Sequence, residues 1–327
     1  METAIKTNLE RVTFGELQIN KHVAVAPMFV TNGNGIDYLT MKEAMDSNLL
    51  IVTEVSEGGS VPELKVVNKG EKPVLLLDGE ELSGAKQNRV LNTTILLKEL
   101  SETIIPVSCT EHGRWSYRSN HFEESGHIMS AKLRRVKNAS VHESLKVGRF
   151  FRSDQGAVWD EIAMQAYQNK VDPVTGAMRD VLEAKQIDLE ELLDHFTAVP
   201  GQNGLLVFVN GEVVGFDMLS RQEAFEIIYP KLLKSYLMDA LVEKRISGRE
   251  ATLDKAEKFL KAIMECEERK YDSVGYGYDY RYEGKKIVGS ALAYGETIIH
   301  GAFFKVSGVE KVGHMSSLSQ RRANRTR

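Results

Sequence analysis

The sequence predicts an α+β fold on three observations. Segments of strand composition gather at both ends of the chain, and helical periodicity is confined to the middle. Strands also fail to alternate regularly with helices, as a doubly wound sheet would require. No internal repeat divides the chain. The pattern predicts one α+β body over 1–306, with a strand-rich part at 1–125 and helices plus hairpins at 126–306. A basic tail at 307–327, rich in Ser, Gly, Asn and Gln, reads as disordered.

Strands are predicted at 16–20 and 22–30. Thr40-Met-Lys-Glu43 reads as a capping box, in which two side chains satisfy reciprocal free amides and start a short helix. Strands follow at 49–55, 63–69, 73–78, 88–97 and 103–109, rich in Val, Ile, Leu and Thr and punctuated by Gly, Asn and Pro. Helices are predicted near 128–148, 155–170, 175–185 and 187–196. In the second of these, Val158, Ile162 and Ala166 lie four apart and form one apolar stripe. Leu205–Val209 and Glu212–Phe216 flank Asn210-Gly211, the signal of a hairpin with a type I′ turn. Ser220-Arg-Gln-Glu223 reads as a second capping box opening a long helix, kinked at Pro230. A helix at 252–269 and strands near 275–283, 286–294 and 297–305 close the body.

The composition excludes several classes. With 42% hydrophobic and 27% charged residues, the chain is too apolar to be mostly disordered. Its apolar runs, such as Val74–Leu77, are far shorter than the roughly 20 residues of a membrane helix. The N-terminus has no apolar signal-peptide region, and two cysteines, Cys109 and Cys266, make no disulfide framework. These features predict a cytoplasmic protein. The net charge of −4 conceals segregation: five basic residues against Glu310 make the segment from Val309 onward +4, so the rest carries −8.

Two polar clusters interrupt the apolar strands. The first runs from Asp78 through Glu80, Glu81, Ser83, Lys86, Gln87, Asn88 and Arg89 to Asn92. Along a strand Gln87 and Arg89 share one face, and Asn88 and Asn92 the other. Adjacent Glu80 and Glu81 cannot face one point, whereas Asp78 and Glu80 can share a side. The cluster reads either as a carboxylate acid or base beside an anion clamp, or as an internal polar network that locks a turn. The second cluster holds Cys109, Glu111, His112, Arg114 and Trp115, a strand end whose Trp can stack on a base and whose Arg can bind phosphate. Cys109 at the end of an apolar strand reads as inert core rather than nucleophile.

Other features read more plainly. His112, His121 and His127 match no metal-ligand spacing, so no metal is predicted. Ala131–Arg152 carries seven basic residues against Glu143, which reads as a solvated helix face pairing with acidic neighbours rather than a nucleic-acid track. Tyr276, Tyr278, Tyr280 and Tyr282 alternate on one strand face, as packing under a helix would require. Phosphate-loop, dinucleotide and nucleophile-elbow motifs are missing from the sequence.

Taken in order, the two clusters resemble the ARG and Rhodanese-Phosphatase-superfamily-associated protein family. The likeness rests on Asp78-Gly-Glu-Glu-Leu-Ser-Gly-Ala-Lys-Gln-Asn-Arg-Val-Leu-Asn92 and Pro106-Val-Ser-Cys-Thr-Glu-His-Gly-Arg-Trp115. Glu54, Asn68, Trp159 and Asp217 also look like family positions, and the likeness spans about 5–306. The family is named for genes neighbouring ADP-ribosylglycohydrolases and rhodanese-type phosphatases, which implies a setting of NAD-derived or ADP-ribose metabolites.

The resulting expectation is a protein that binds, and hydrolyses or rearranges, a small phosphorylated ribose-type metabolite. Glu80, Glu81 and Glu111 are the candidate acids or bases. Asp78, Lys86, Gln87, Asn88, Arg89, Asn92, His112, Arg114 and Trp115 are the candidate ligand contacts. Neither a cofactor nor a membrane is expected, and nucleic acid is not the favoured partner. The alternative is a non-catalytic binding or scaffold protein touching nucleic acid through 132–152 and the tail. Under the first reading, Asp78, Glu80, Gln87, Arg89, Glu111 and Arg114 converge on one partly open pocket. Under a purely structural reading they are buried and paired with one another.

Overall fold

The computed structural model describes residues 2–30, 35–56, 58–117 and 119–306. The tail read at 307–327 lies outside the described residues. The chain opens with α1 (Thr3–Glu10), β1 (Val12–Phe14), β2 (Gln18–Asn20) and β3 (Val23–Val30). Then come β4 (Leu39–Thr40), α2 (Met41–Asp46), β5 (Leu50–Glu54), β6 (Glu63–Asn68) and β7 (Val74–Leu76). β8 (Glu80–Gly84), β9 (Arg89–Leu91), β10 (Ile95–Leu97), β11 (Ser101–Cys109) and β12 (Phe122–Ile128) follow. The helical middle is α3 (Ala131–Lys146), α4 (Gln155–Asn169), α5 (Met178–Ala184) and α6 (Gln186–Leu193). β13 (Gly204–Val209), β14 (Glu212–Leu219), α7 (Gln222–Ala240) and α8 (Leu253–Met264) come next. β15 (Glu267–Asp272), β16 (Tyr278–Glu283), β17 (Ile287–Tyr294) and β18 (Thr297–Lys305) end the fold. The architecture is α+β.

A nine-stranded sheet runs β1-β3-β13-β14-β18-β17-β16-β15, with β2 also on β3. It joins residues 12–30 to residues 204–305, so the first strands of the chain pair with strands from its second half. Both faces are covered. Val23 and Val25 of β3, with Leu205, Val207 and Val209 of β13, join the core under α3, α4 and α7. The alternate residues Ala24, Ala26, Met28, Leu206 and Phe208 join a second core with α1 and α8. That is why these strands read as unbroken apolar runs.

Residues between β5 and β12 form a closed six-stranded barrel, β11-β6-β5-β12-β8-β9, beside a small sheet β10-β7-β4. Leu50, Val52, Leu64, Val66, Leu82, Leu91, Ile105 and Val107 fill the barrel. Side chains alternate along a strand, so Glu54 follows Val52, Arg89 precedes Leu91 and Cys109 follows Val107 on the inward face. The apolar interior therefore ends in a polar layer.

Local sequence explains most elements. Thr40 and Glu43 form the capping box. Asn210 (φ 50°) and Gly211 (φ 69°) take the two positive φ values of the hairpin turn, where Gly211 packs against the backbone of Arg249. The second capping box does not form: Arg221 is the N-cap and has no side-chain cap bond. Ser220 instead extends the sheet through its amide to Ile299 O and meets the Tyr38 hydroxyl at 3.0 Å.

The strand expected over 88–97 breaks at Asn92, Thr93 and Thr94. Their side chains leave the strand to bond Phe151 O, Asp279 and His300. β8 lies within the polar cluster, and β12 and β15 are too polar for an apolar pattern to reveal. β15 is an exposed edge, which also ends α8 earlier than 269. Of the tyrosines, Tyr280 and Tyr282 are buried with α8, while Tyr278 is exposed and Tyr276 precedes β16.

Candidate functional site

The residues of the two clusters separate into three networks. In the first, Asp78 leaves the turn before β8 toward α3, where it ion-pairs with Lys137 and lies 3.6 Å from Arg134 Nε. Lys137 also donates to Leu91 O at 2.7 Å. The Arg134 guanidinium forks onto Asp217 at 2.6 and 2.9 Å. The Tyr236 hydroxyl donates to the same carboxylate at 2.5 Å, and His300 Nε2 lies 3.0 Å from it. Thr94 Oγ1 meets His300 Nδ1 at 2.7 Å, a hydroxyl–imidazole–carboxylate chain sealed in the core.

Burial opposes ionisation of Asp217, but the charge of Arg134 and bonds from His300 and Arg134 outweigh it and hold the carboxyl well below its ordinary range. Burial pulls Lys137 down to about 8, against the opposing pull of Asp78. This corrects the reading of the basic run as a solvated face at Arg134 and Lys137. Lys132 and Lys146 do pair with acidic neighbours, Lys132 with Glu161 and Lys146 with Glu143 and Glu283. Arg134 and Lys137 are core residues, because the carboxylates of Asp78 and Asp217 need partners once removed from water. Asn92 belongs to the same interior and bonds Phe151 O and Ser108.

In the second network, Glu80 and Glu81 leave β8 on opposite sides. Glu80 pairs with Lys231 and accepts from the Leu77 amide at 2.7 Å. Lys231 is shared with Glu124 at 2.8 Å. Glu81 accepts from Thr110 at 2.7 Å, and burial pushes its carboxyl up to about 7.

The third network lies at the polar end of the barrel. Glu111 accepts from Arg114 at 2.7–2.9 Å, from Thr175 at 2.9 Å and from the Asn88 amide at 3.3 Å. Burial would raise Glu111, but these bonds, led by Arg114, hold it below its ordinary range. Arg114 also donates to Ala85 O, Ser116 O and Asn88 Oδ1, clamping the loop over the barrel. Gln87 Oε1 accepts from Arg89 Nη1 at 3.3 Å and from the Cys109 thiol at 3.1 Å. Burial pushes that thiol up to about 11, so it stays protonated, as an inert core cysteine does.

Arg89 is fully buried, yet its Nε and Nη2 make no hydrogen bond. Both carboxylate oxygens of Glu54 are likewise unbonded, and Glu54 Oε1 lies 3.8 Å from Arg89 Nη2. That gap allows attraction but is too wide for a hydrogen bond. Above the pair the Trp115 ring lies 5.7 Å from the guanidinium and 5.4 Å from Lys86 Nζ. Trp115 is 49% exposed, so the layer over Arg89 faces solvent. Gly59 (φ 75°) packs where a Cβ would sit 3.3–3.5 Å from Lys86, Glu54 and Trp115. Lys86 donates to Gly58 O at 2.7 Å and fixes that approach.

The expected convergence on one pocket is therefore corrected. Gln87, Arg89, Glu111 and Arg114 share the barrel end, whereas Asp78 and Glu80 are drawn to helical cations on other sides. Of the predicted residues, His112 alone lines the cavity of about 1030 Å³ beside α4. Glu54 was missing from the candidate contacts; its signal was a carboxylate ending the apolar run Leu50-Ile-Val-Thr. Among the described residues no group of three or more His, Cys, Asp or Glu is placed to hold a metal, and no helix is long and apolar enough to cross a membrane.

Residues 11–304 match the model of the ARG and Rhodanese-Phosphatase-superfamily-associated Protein domain. The chain belongs to this family. The match takes in all three networks, and the family's name ties it to ARG and the rhodanese-phosphatase superfamily without specifying a ligand. Searches of curated proteins and of solved structures returned no match.

Proposed function

We propose that the polar end of the barrel binds a small phosphorylated ribose-type metabolite, with ADP-ribose as the probe of first choice. One observation carries this reading: the buried Arg89–Glu54 pair with four unmade hydrogen-bonding positions beneath a solvent-facing indole. Each unmade bond in such a place costs about 1–3 kcal/mol, which a ligand that completes it returns. Arg89 Nε and Nη2 suit phosphate oxygens, Glu54 suits ribose hydroxyls as an acceptor, and Trp115 suits the flat face of a base. Family membership adds the association with ARG and the rhodanese-phosphatase superfamily that its name records.

The reading is one of binding. Glu111 is held ionised by Arg114 and has no proton to give near neutrality. Glu80 spends its oxygens on Lys231 and the Leu77 amide. Glu54 is the carboxylate beside Arg89. The test is a thermal-shift and calorimetric titration with ADP-ribose and ribose 5-phosphate. Wild type is expected to be stabilised and to bind. Trp115→Ala and Glu54→Gln should weaken ADP-ribose binding at least about tenfold while staying folded. Binding that survives both substitutions, or a folded wild type that binds neither probe, overturns the proposal.

A further inference from the structure

Most basic residues of 131–152 are already committed. Arg134 and Lys137 are buried on carboxylates, Lys132 and Lys146 are ion-paired, and Arg135 donates to Lys305 O at 2.9 Å. Arg149 and Arg152 remain: both are exposed, and neither has a side-chain partner among the described residues. They stand in the turn that follows α3. Gly148 N donates to Leu145 O at 3.1 Å and Arg149 N to Ser144 O at 2.8 Å, a pair of bonds that closes the helix end. Phe150 then takes φ 57°, a left-handed backbone that a bulky side chain rarely adopts. Two neighbouring rings part as a result. Phe151 is buried with Val141 and Leu145, while Phe150 is 56% exposed and meets it edge-on at 4.9 Å. The turn is braced from both sides: Asn92 Nδ2 donates to Phe151 O at 2.9 Å, Asp154 N to Ser140 Oγ at 3.1 Å, and the Ser153 hydroxyl meets Ser108 of β11. A fixed backbone thus holds the Phe150 ring outward.

Phe150 lines a groove of about 460 Å³ on the outside of the barrel. The other walls are aliphatic, from Pro62 just before β6 and from Ile104 and Pro106 of β11. Ile104 is itself 45% exposed. Against the two arginines the lining carries one acid, Glu63. Exposed apolar surface in a concave place marks a docking site, and unpaired arginines at its edge select an acidic partner. Two cations are too few to track a nucleic-acid backbone, whose affinity grows with each phosphate neutralised. Walls of proline and isoleucine also suit an apolar side chain better than a phosphate.

We propose that this groove docks a short acidic segment of another protein. One bulky apolar side chain of that segment enters between Ile104, Pro106 and Phe150, and its flanking carboxylates pair with Arg149 and Arg152. The surface lies outside the barrel and uses none of the residues proposed to hold the metabolite.

Fluorescence anisotropy with the full chain tests it, using a labelled peptide whose Leu-Phe pair is flanked by Asp and Glu. Control peptides replace either the Leu-Phe pair by Ala-Ala or the acids by Lys. The acidic peptide is expected to bind saturably, at least about tenfold tighter than either control. Phe150→Gly and the double replacement Arg149→Glu/Arg152→Glu should each weaken it at least about tenfold. Glycine relieves the left-handed backbone, so the thermal midpoint of Phe150→Gly should hold or rise. A fall in that midpoint assigns the ring to the core and overturns the proposal. No saturable binding of the acidic peptide, or equal binding of the lysine or alanine control, also overturns it. So does tight binding of oligouridylate that the arginine reversal abolishes, which would assign the surface to nucleic acid.

Discussion

Around Asp217, Arg134, Tyr236 and His300 all reach one buried carboxylate at 2.5–3.0 Å. At the barrel end Arg89 is as deeply buried and Glu54 nearly so, yet they stand 3.8 Å apart without a hydrogen bond between them. The core cluster has one comparable gap, Arg134 Nε facing Asp78 at 3.6 Å, but Arg134 still places two nitrogens on Asp217. Arg89 places none on a carboxylate, and the ring above it is half in solvent. Burial of charge is common to both regions. Completed bonds lock a fold, whereas the unmade ones under Trp115 are the positions that the proposed ligand would complete.

The strongest way to break that distinction is to remove the charges. Arg134→Met should cost about 3–5 kcal/mol in denaturant unfolding, because Asp217 and Asp78 are left buried and uncompensated. The double replacement Arg89→Met/Glu54→Gln removes both members of the barrel pair and should change stability by less than about 1 kcal/mol. Equal losses in the two regions would erase the difference between lock and site.

Titration sharpens it next. Glu81, raised from 4.5 to about 7, binds more protons folded than unfolded between those values. Stability should therefore fall as pH rises from 4.5 through 7, and Glu81→Gln should flatten that slope. Asp217 has the opposite sign. Its depressed pKa contributes stability that is complete above the unfolded value of 3.8 and is lost as pH falls below it. Asp217→Asn should lower stability at neutral pH and weaken its dependence below 3.8. Urea midpoints measured across pH check both. The smallest effect belongs to the rim: Trp115→Ala should change stability by no more than about 0.5 kcal/mol while removing the binding proposed at the barrel end.

Much of the fold was legible residue by residue. The Thr40 capping box, the Asn210-Gly211 turn and the apolar stripe of α4 depend on neighbours a few positions apart, so the sequence displays them directly. The Ser220 box failed because the edge of β18 offered its amide a partner through Ile299. β8, β12 and β15 stayed hidden because their stability comes from cross-strand partners rather than from an apolar pattern. The candidate site was half legible. Arg89 and Gln87 do meet, but through local hydrogen bonds, since Gln87 lies before β9 rather than on it, and Glu54, 35 positions away in sequence, reaches Arg89 through barrel closure. The basic run of α3 misled for a similar reason: charge counts do not show which cations face a buried carboxylate.

The sequence by itself determined the α+β class, the family and the two polar interruptions at 78–92 and 106–115, because those rest on local pattern and specific strings. Only the tertiary structure decided which polar residues are bound to one another and which are not. Closing the barrel buried Arg89 and Glu54 together, while docking α3 and α7 drew Asp78 and Glu80 away to Lys137 and Lys231. The physical reason is that a charge removed from water is governed by its nearest partners, and those partners come from distant parts of the chain.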